Sequence, residues 1–257
     1  MTARAAALSL AVTLLLAADV VAQDPLDMWV GKSAGRLALS PPGFQPGSAY
    51  NPLFRVDQSF LHGWSHVNPG FDHATSSAGG VAPLTNPVEI RLEVVALDPA
   101  LVVFGPAFSF TLDQPGERGL LGDANVHTHP TWFIDEEDPG FNPDQCVWQG
   151  TFKLVATAGG LQPSQPFTLL LTNVPVRGGE FPPTPTPASG DFEEDSDVDG
   201  EDAGAFAACI GGPQRRPSPS DPAITTCEVD CYNAFDFDDD MDIDLMDFAD
   251  FQMEYDP

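Results

Sequence analysis

A twelve-residue acidic segment occurs twice in this chain. Asp191-Phe-Glu-Glu-Asp-Ser-Asp-Val-Asp-Gly-Glu-Asp202 lies over Asp236-Phe-Asp-Asp-Asp-Met-Asp-Ile-Asp-Leu-Met-Asp247 at an offset of 45 residues. Acids stand at positions 1, 3, 5, 9 and 12 of both copies, position 8 is apolar in both (Val198, Ile243), and a phenylalanine follows at the same place (Phe206, Phe251). A solvated acidic tail has no cause to keep an apolar position and an aromatic ring in register, so the repeat constrains the fold. Calcium takes about six to eight oxygens at roughly 2.3–2.6 Å, and a twelve-residue loop wrapping the ion turns positions 1, 3, 5, 7, 9 and 12 inward. The expected ligands are Asp191, Glu193, Asp195, Asp197, Asp199 and Asp202 in loop 1, and Asp236, Asp238, Asp240, Asp242, Asp244 and Asp247 in loop 2. Position 7 offers its carbonyl oxygen, and the last acid opens a short helix, whose N-terminus favours negative charge. The apolar position 8 is expected to let the two loops pair beneath the ions. Position 6, where such loops turn with positive φ, ordinarily holds Gly. Ser196 and Met241 stand there instead, each at a cost on the order of 1–2 kcal/mol. The bulkier Met241 is expected to weaken loop 2 more.

From Gly190 to Pro257 there are 21 acids against two bases, Arg215 and Arg216. Such crowding predicts a module that is largely unfolded without a cation and folds on binding one. The stretches GDFEEDSDVDGEDAGAF and FDFDDDMDIDLMDFADF resemble a type I dockerin, an EF-hand-like family of small secreted modules with two calcium loop–helix units. The resemblance covers about 191–257. It implies a cohesin-like or other cell-exterior protein as partner, with positions 10 and 11 of each loop helping to choose it. Those positions are Gly200, Glu201, Leu245 and Met246, in place of the small hydroxyl pairs common in the family. A Cys-bearing insert also lengthens the gap between the loops.

The whole chain carries a formal net charge of −28, which sets it against nucleic acid and anionic membrane and toward cations. Its first 22 residues, MTARAAALSLAVTLLLAADVVA, read as a signal peptide cleaved between Ala22 and Gln23. No later run approaches the roughly 18 apolar residues of a membrane span, so a secreted or cell-surface protein is expected. Export permits disulfides. Cys146, Cys209, Cys227 and Cys231 allow three pairings if all are bonded. Cys209 is expected to close a loop with Cys227 or Cys231, leaving Cys146 to pair with the other or to stay a buried thiol. GGEFPPTPTPASG at 178–190 reads as an extended spacer. The expected organisation is a signal peptide (1–22), a β-domain (23–177), a linker (178–190) and the acidic module (191–257).

Within 23–177, DMWVG (27–31), VEIRLEVVAL (88–97), FSFTLD (108–113), TFKLVATA (151–158) and FTLLLTNV (167–174) alternate or run apolar between turn residues and read as strands. No stretch keeps a helical apolar period over three turns. The segment 40–87, rich in Pro, Gly and Ser, is expected to be mostly loop. The expected fold is an all-β domain, a β-sandwich of about 150 residues, followed by a small α module of calcium loops and helices.

All five histidines lie between His62 and His129. On a strand, His127 and His129 share a face and could grip one ion, with Asp123 or Glu136 completing a tetrahedral site. His62 and His66 would share a face only on a helix, which the Gly in LHGWSH opposes. Imidazole suits zinc, copper, iron or nickel. The stretch LLGDANVHTHPTWFIDEEDPGFNPDQCVWQGTF (120–152), with DMWVG and NPGFD (68–72), is similar to a family of secreted β-rich bacterial proteins regulated by the zinc-uptake repressor. That resemblance implies Zn2+, with His127, His129, His62 and His66 as candidate ligands. No HExxH helix is present, so zincin chemistry has no sequence support. The reading is a non-enzymatic exported protein whose calcium-dependent module attaches a β-domain that can take a transition metal. The alternatives are a small glycoside hydrolase drawing on Glu89, Glu93, Asp123 or Glu136, or a carbohydrate-binding domain with Trp64, Trp132 or Trp148 as platforms.

Overall fold

The computed structural model describes residues 27–40, 50–58, 61–77, 80–85, 87–174, 176, 188–225 and 227–256. The expected signal peptide, its cleavage site and most of the Pro/Thr spacer lie outside them. Strands are numbered along the chain. One sheet orders β11 (His127–Thr128), β6 (Phe71–His73), β1 (Met28–Ser33) and β2 (Arg36–Ser40). A second orders β10 (Arg118–Asp123), β7 (Glu89–Leu97), β13 (Val147–Ala156), β14 (Phe167–Thr172) and β3 (Tyr50–Pro52). The third orders β4 (Phe54–Gln58), β5 (Leu61–His66), β12 (Thr131–Asp135), β8 (Leu101–Phe104) and β9 (Thr111–Leu112). All three face one core, in which Met28, Phe71, Leu92, Trp132, Phe152 and Leu169 are fully buried. The period-two alternation is plainest in β13, where Trp148, Gly150, Phe152 and Leu154 are buried in turn, as a pleated strand over a core requires. The domain is all-β as expected, with its strands sorted into three sheets.

Two expectations are corrected. The segment 40–87 carries β3, β4, β5 and β6. These strands are three to six residues long, and two of them pair in parallel with distant partners, β6 with β1 and β3 with β14. Parallel pairing has no hairpin signature to read in sequence. FSFTLD supplies only the two residues of β9, because Pro106–Phe108 turns in a 3-10 helix with Ala107 and Phe108 at positive φ.

The acidic module holds α1 (Gly200–Cys209), α2 (Glu228–Phe235) and α3 (Leu245–Glu254). Its core is aromatic: Phe206 and Phe251, the two phenylalanines at matching offsets, stack at 5.1 Å, and Phe235 from α2 stands edge-on to both. Cys209 is bonded to Cys231, closing α1 onto α2, and Cys146 is bonded to Cys227. The second bond ties the module to the β-domain. Around it lies a junction cluster: Tyr50 and Leu170 from the sheet, Val229 and Tyr232 from α2, and Met241 from loop 2. Among the described residues, no helix is long and apolar enough to cross a membrane.

Because the Cys146–Cys227 bond links residues 81 apart, chain-entropy reasoning sets its worth at about 4–5 kcal/mol, with realised values nearer 2–4. A Cys146→Ser/Cys227→Ser double variant is expected to lose about 2–4 kcal/mol of unfolding free energy, measured by denaturant titration in calcium. Limited proteolysis should then cut the module away from the β-domain, which stays joined to it in the wild type.

Candidate metal centres

Both acidic loops are curled by the same six hydrogen bonds. In loop 1, the Asp191 carboxylate accepts from the backbone N–H groups of Asp195 (3.1 Å) and Ser196 (3.0 Å), and Asp195 accepts from that of Asp197 (3.2 Å). Asp199 accepts from Glu201 (2.7 Å), and Asp202 from both Phe192 (2.6 Å) and Asp199 (2.7 Å). Loop 2 repeats the set 45 residues on. Asp236 accepts from Asp240 and Met241, both at 3.1 Å, and Asp240 from Asp242 (3.0 Å). Asp244 accepts from Met246 (2.6 Å), and Asp247 from Phe237 and Asp244, both at 2.8 Å. The backbone matches too: φ is positive at position 4 (Glu194 59°, Asp239 58°) and at position 6 (Ser196 81°, Met241 71°). Positions 9 and 12 form a capping box on α1 and again on α3, which satisfies amides at each helix start.

The carboxylates converge. Ligand oxygens of Glu193, Asp199 and Asp202 lie within 4.8 Å of one another, as do those of Asp236, Asp238 and Asp247 and those of Asp242, Asp244 and Asp247. The position-12 acids anchor these groups and are buried, Asp202 at 0% exposure and Asp247 at 1%. Asp191, Asp195 and Asp240 spend their carboxylates on loop amides, and Asp242 accepts from the Gln214 N–H. Crowding raises proton affinity. Glu193 is pushed up to about 7, first by desolvation and then by its hydrogen bond to Asp202. The neighbouring charge of Asp195 lifts Asp197, and burial lifts Asp238, Asp242 and Asp247. A divalent cation would relieve this repulsion.

The two position-8 residues, Val198 and Ile243, share one hydrophobic cluster, and their backbones tie the two units together as well. The Val198 carbonyl accepts from Asp256, just past α3, and the Ile243 carbonyl accepts from Gly211, just past α1. These bonds correspond at an offset of 45, so each loop is floored by the segment that follows the other unit's helix. The outward faces differ between copies. On α3, Leu245 (74% exposed), Met246 (65%) and Met253 (81%) form an apolar stripe. At the equivalent places α1 has Gly200, Glu201 and Ala208.

In the β-domain, the order β11-β6-β1 brings HTHP, NPGFD and DMWVG side by side. His127 is opposite Asp72, and Met28 is opposite Phe71. Asp27, just before β1, is buried, and its Oδ2 stands 3.7 Å from His127 Nδ1 and 3.6 Å from His129 Nε2. Asp72 Oδ1 lies 3.5 Å from His127 Nδ1 and accepts from the His73 N–H at 2.8 Å. His129 Nδ1 faces the Val67 carbonyl (3.3 Å) and Asn68 Oδ1 (3.1 Å). A Cβ on Gly70 would sit 2.5 Å from Asp27 Oδ1 and 2.6 Å from His129 Nδ1; its absence lets the two side chains meet.

The expected partners of the histidines are thus corrected. Asp123 accepts from the Asn125 N–H at the end of β10 (2.8 Å), and Glu136 is held by Arg55 (2.6 Å). Asp27 and Asp72, which the sequence reading did not name as ligands, stand beside His127 and His129 instead. The visible signal was an acid at the head of the buried run DMWVG and another inside NPGFD. Only the parallel β1–β6 pairing brings them together. His62 and His66 lie on β5, where alternation gives residues four apart one face without any helix. They stand roughly 13 Å apart on such a strand, too far for one ion. His62 pairs with Asp57 at 2.7 Å, and His66 stands edge-on to Phe54, burial holding its pKa below the ordinary value.

Three of the four carboxylates considered for a hydrolase, Glu89, Glu93 and Glu136, are engaged by cations. Glu89 meets Arg91 (2.7 Å), and Glu93 meets Arg118 and Lys153, both at 2.6 Å. Burial works upward on Glu93, but hydrogen bonds from Lys153 and Arg118 outweigh it and hold the pKa low. Arg91 lowers Glu89, and Arg55 lowers Glu136. Trp132 and Trp148 are fully buried in the core, and Arg55 lies over Trp64 at 4.8 Å. Comparison with protein-family models, with curated proteins and with solved structures finds no match.

The strained position 6 separates the two loops. Ser196 is exposed, so Ser196→Gly removes strain alone and is expected to raise calcium affinity of loop 1 by about five- to thirtyfold, the equivalent of 1–2 kcal/mol. Met241 also packs in the junction cluster, so Met241→Gly is expected to gain less than Ser196→Gly and to lower the unfolding midpoint. Calorimetric calcium titration with thermal melts checks both.

Proposed function

We propose that the protein is a secreted, non-enzymatic attachment protein. Calcium fills the two acidic loops and, by ordering them, presents α3 to a protein partner at the cell exterior, with the β-domain carried as the attached body. The observation that carries this reading is the repeat of one loop in two copies, bond for bond and with the same positive-φ positions, around carboxylates that converge. Position 12 connects ion to helix: Asp202 and Asp247 both sit among the converging oxygens and cap α1 and α3. A cation there neutralises charge at the point where each helix begins. The module is read as dockerin-like on these grounds. Its partner is a cohesin-like protein with an apolar centre to cover Leu245, Met246 and Met253 and a basic rim to meet the acids around them.

The hydrolase alternative is weaker. A glycosidase needs a carboxylic acid kept protonated by a raised pKa, whereas Glu89, Glu93 and Glu136 are all held low by cationic neighbours. A sugar platform needs open indole faces, and two of the three candidates are core residues. The two disulfides suit an oxidising exterior.

Calorimetry on the secreted chain is expected to give two calcium ions, with Asp202→Asn and Asp247→Asn each removing one. The protein should be retained on the surface of its producing cells and released by a calcium chelator. A Leu245→Asp/Met246→Asp/Met253→Asp variant should keep both calcium ions and lose retention. Absence of calcium binding, or retention indifferent to both chelator and variant, would reject the proposal.

A further inference from the structure

The acidic loops do not exhaust the metal chemistry of this chain. We infer that Asp27, His127 and His129, with Asp72 beside them, form a binding site for one divalent first-row transition-metal ion of the zinc class. The site belongs to the β-domain and does not depend on the calcium reading.

Spacing is the first argument. An ion bonded at about 2.0–2.2 Å to nitrogen and oxygen in a tetrahedron separates its ligand atoms by roughly 3.3–3.6 Å. Three distances here fall at or close to that edge length: 3.6 Å for His129 Nε2 to Asp27 Oδ2, 3.7 Å for His127 Nδ1 to the same oxygen, and 3.5 Å for His127 Nδ1 to Asp72 Oδ1. A ring nitrogen in direct hydrogen bond with a carboxylate closes to about 2.7–2.9 Å, as His62 Nδ1 does with Asp57 (2.7 Å) and His73 Nδ1 with Asp72 Oδ1 (2.9 Å). The three contacts are thus too long for direct hydrogen bonds and suited to a shared ion.

The tautomer is the second argument. His129 Nδ1 faces the Val67 carbonyl, an oxygen that can only accept, so Nδ1 carries the proton. In the neutral ring Nε2 then presents its lone pair toward Asp27. A lone pair and a carboxylate oxygen face each other favourably only across a cation. A ring nitrogen fixed by a backbone carbonyl while its other nitrogen points to the ion is the usual outer support of a metal-bound histidine.

The third argument is the cradle. Gly70 is the residue over which Asp27 and His129 approach, and any Cβ there would collide with both. The rings of His127 and His129 stand at 73° with centroids 5.3 Å apart, so their lone pairs converge from different directions. Two aspartates balance the charge of one divalent ion. The side bearing His127 is open, its side chain 60% exposed, and it borders a groove of about 710 Å³ lined also by Glu89, Leu120, Asp123 and Asn125. That opening gives an ion a path in and leaves one coordination position for water or a small anion. Imidazole and carboxylate together favour zinc-class ions over calcium, which takes oxygen.

The test uses the secreted chain held in excess calcium, so that the acidic loops are filled, and titrates Zn2+ by calorimetry and Co2+ by visible absorption. Wild type is expected to take one ion of either metal. The expected loss of affinity is about hundredfold or more for the near-isosteric Asp27→Asn and for the exposed His127→Ala, with the cobalt bands lost. Gly70→Ala should act in the same direction, while His62→Gln, outside the site, should leave binding unchanged. Circular dichroism verifies that each variant is folded, and His127→Ala, at the surface, keeps the test valid if Asp27→Asn is not. Equal uptake by wild type and His127→Ala, or no uptake by calcium-loaded wild type, would overturn the inference.

Discussion

From Leu169 to Thr172 strand β14 is dry on both faces, and the arrangement of the molecule follows from that. Phe167, Leu169 and Leu171 face the core of the β-domain, while Leu170 faces the opposite way into a cluster with Tyr50, Val229 and Cys227. A strand with one wet face would alternate; FTLLLT does not, and its apolar run is what a strand buried on both sides requires. Helix α2 supplies the second cover, and the Cys146–Cys227 bond fixes it there. The acidic module is therefore more than a pendant at the end of a spacer. Its central helix is part of the wall of the β-domain.

Electrostatics governs the other side of the module. Each loop gathers acids that would scatter if left to themselves, and backbone amides hold them in place before any ion is considered. The position-12 aspartates are buried, and, like the position-1 aspartates, each accepts from two N–H groups. Met241 shows how a local misfit is used. Its positive φ is strained for a residue with a side chain, but that side chain reaches the junction cluster, where a glycine would contribute nothing. Strain in the loop and packing at the junction are parts of one compromise.

Most of the β-domain's longer strands were legible because period two and apolar runs report local geometry; β7, β13 and β14 follow directly. The strands between residues 40 and 87 were hidden because they are short and depend on distant or parallel partners, which leave no local trace. The loops were the most readable feature, since twelve positions with fixed chemical roles specify a curl almost by themselves. The disulfide pairings were left open by the sequence, and the helical insert decides them by putting Cys231 beside α1 and Cys227 beside the sheet. The histidine centre was half legible. His127 and His129 were recognisable by their alternation, but Asp27 lies a hundred residues away and reaches them through a sheet order that no spacing encodes. Glu136 and Asp123, nearer in sequence, were the natural guess, and Arg55 and a local turn had already claimed them.

The exchanged floor of the acidic loops has one more consequence. Val198 is supported by the chain after α3 and Ile243 by the chain after α1, so neither repeat is complete without its twin. On the proposed reading, a cation held in one loop would stabilise the segment on which the other rests, and its loss would withdraw support from both. Two sites coupled in this way would fill together over a narrow span of ion concentration. Duplication would then have made a threshold element, either assembled or released.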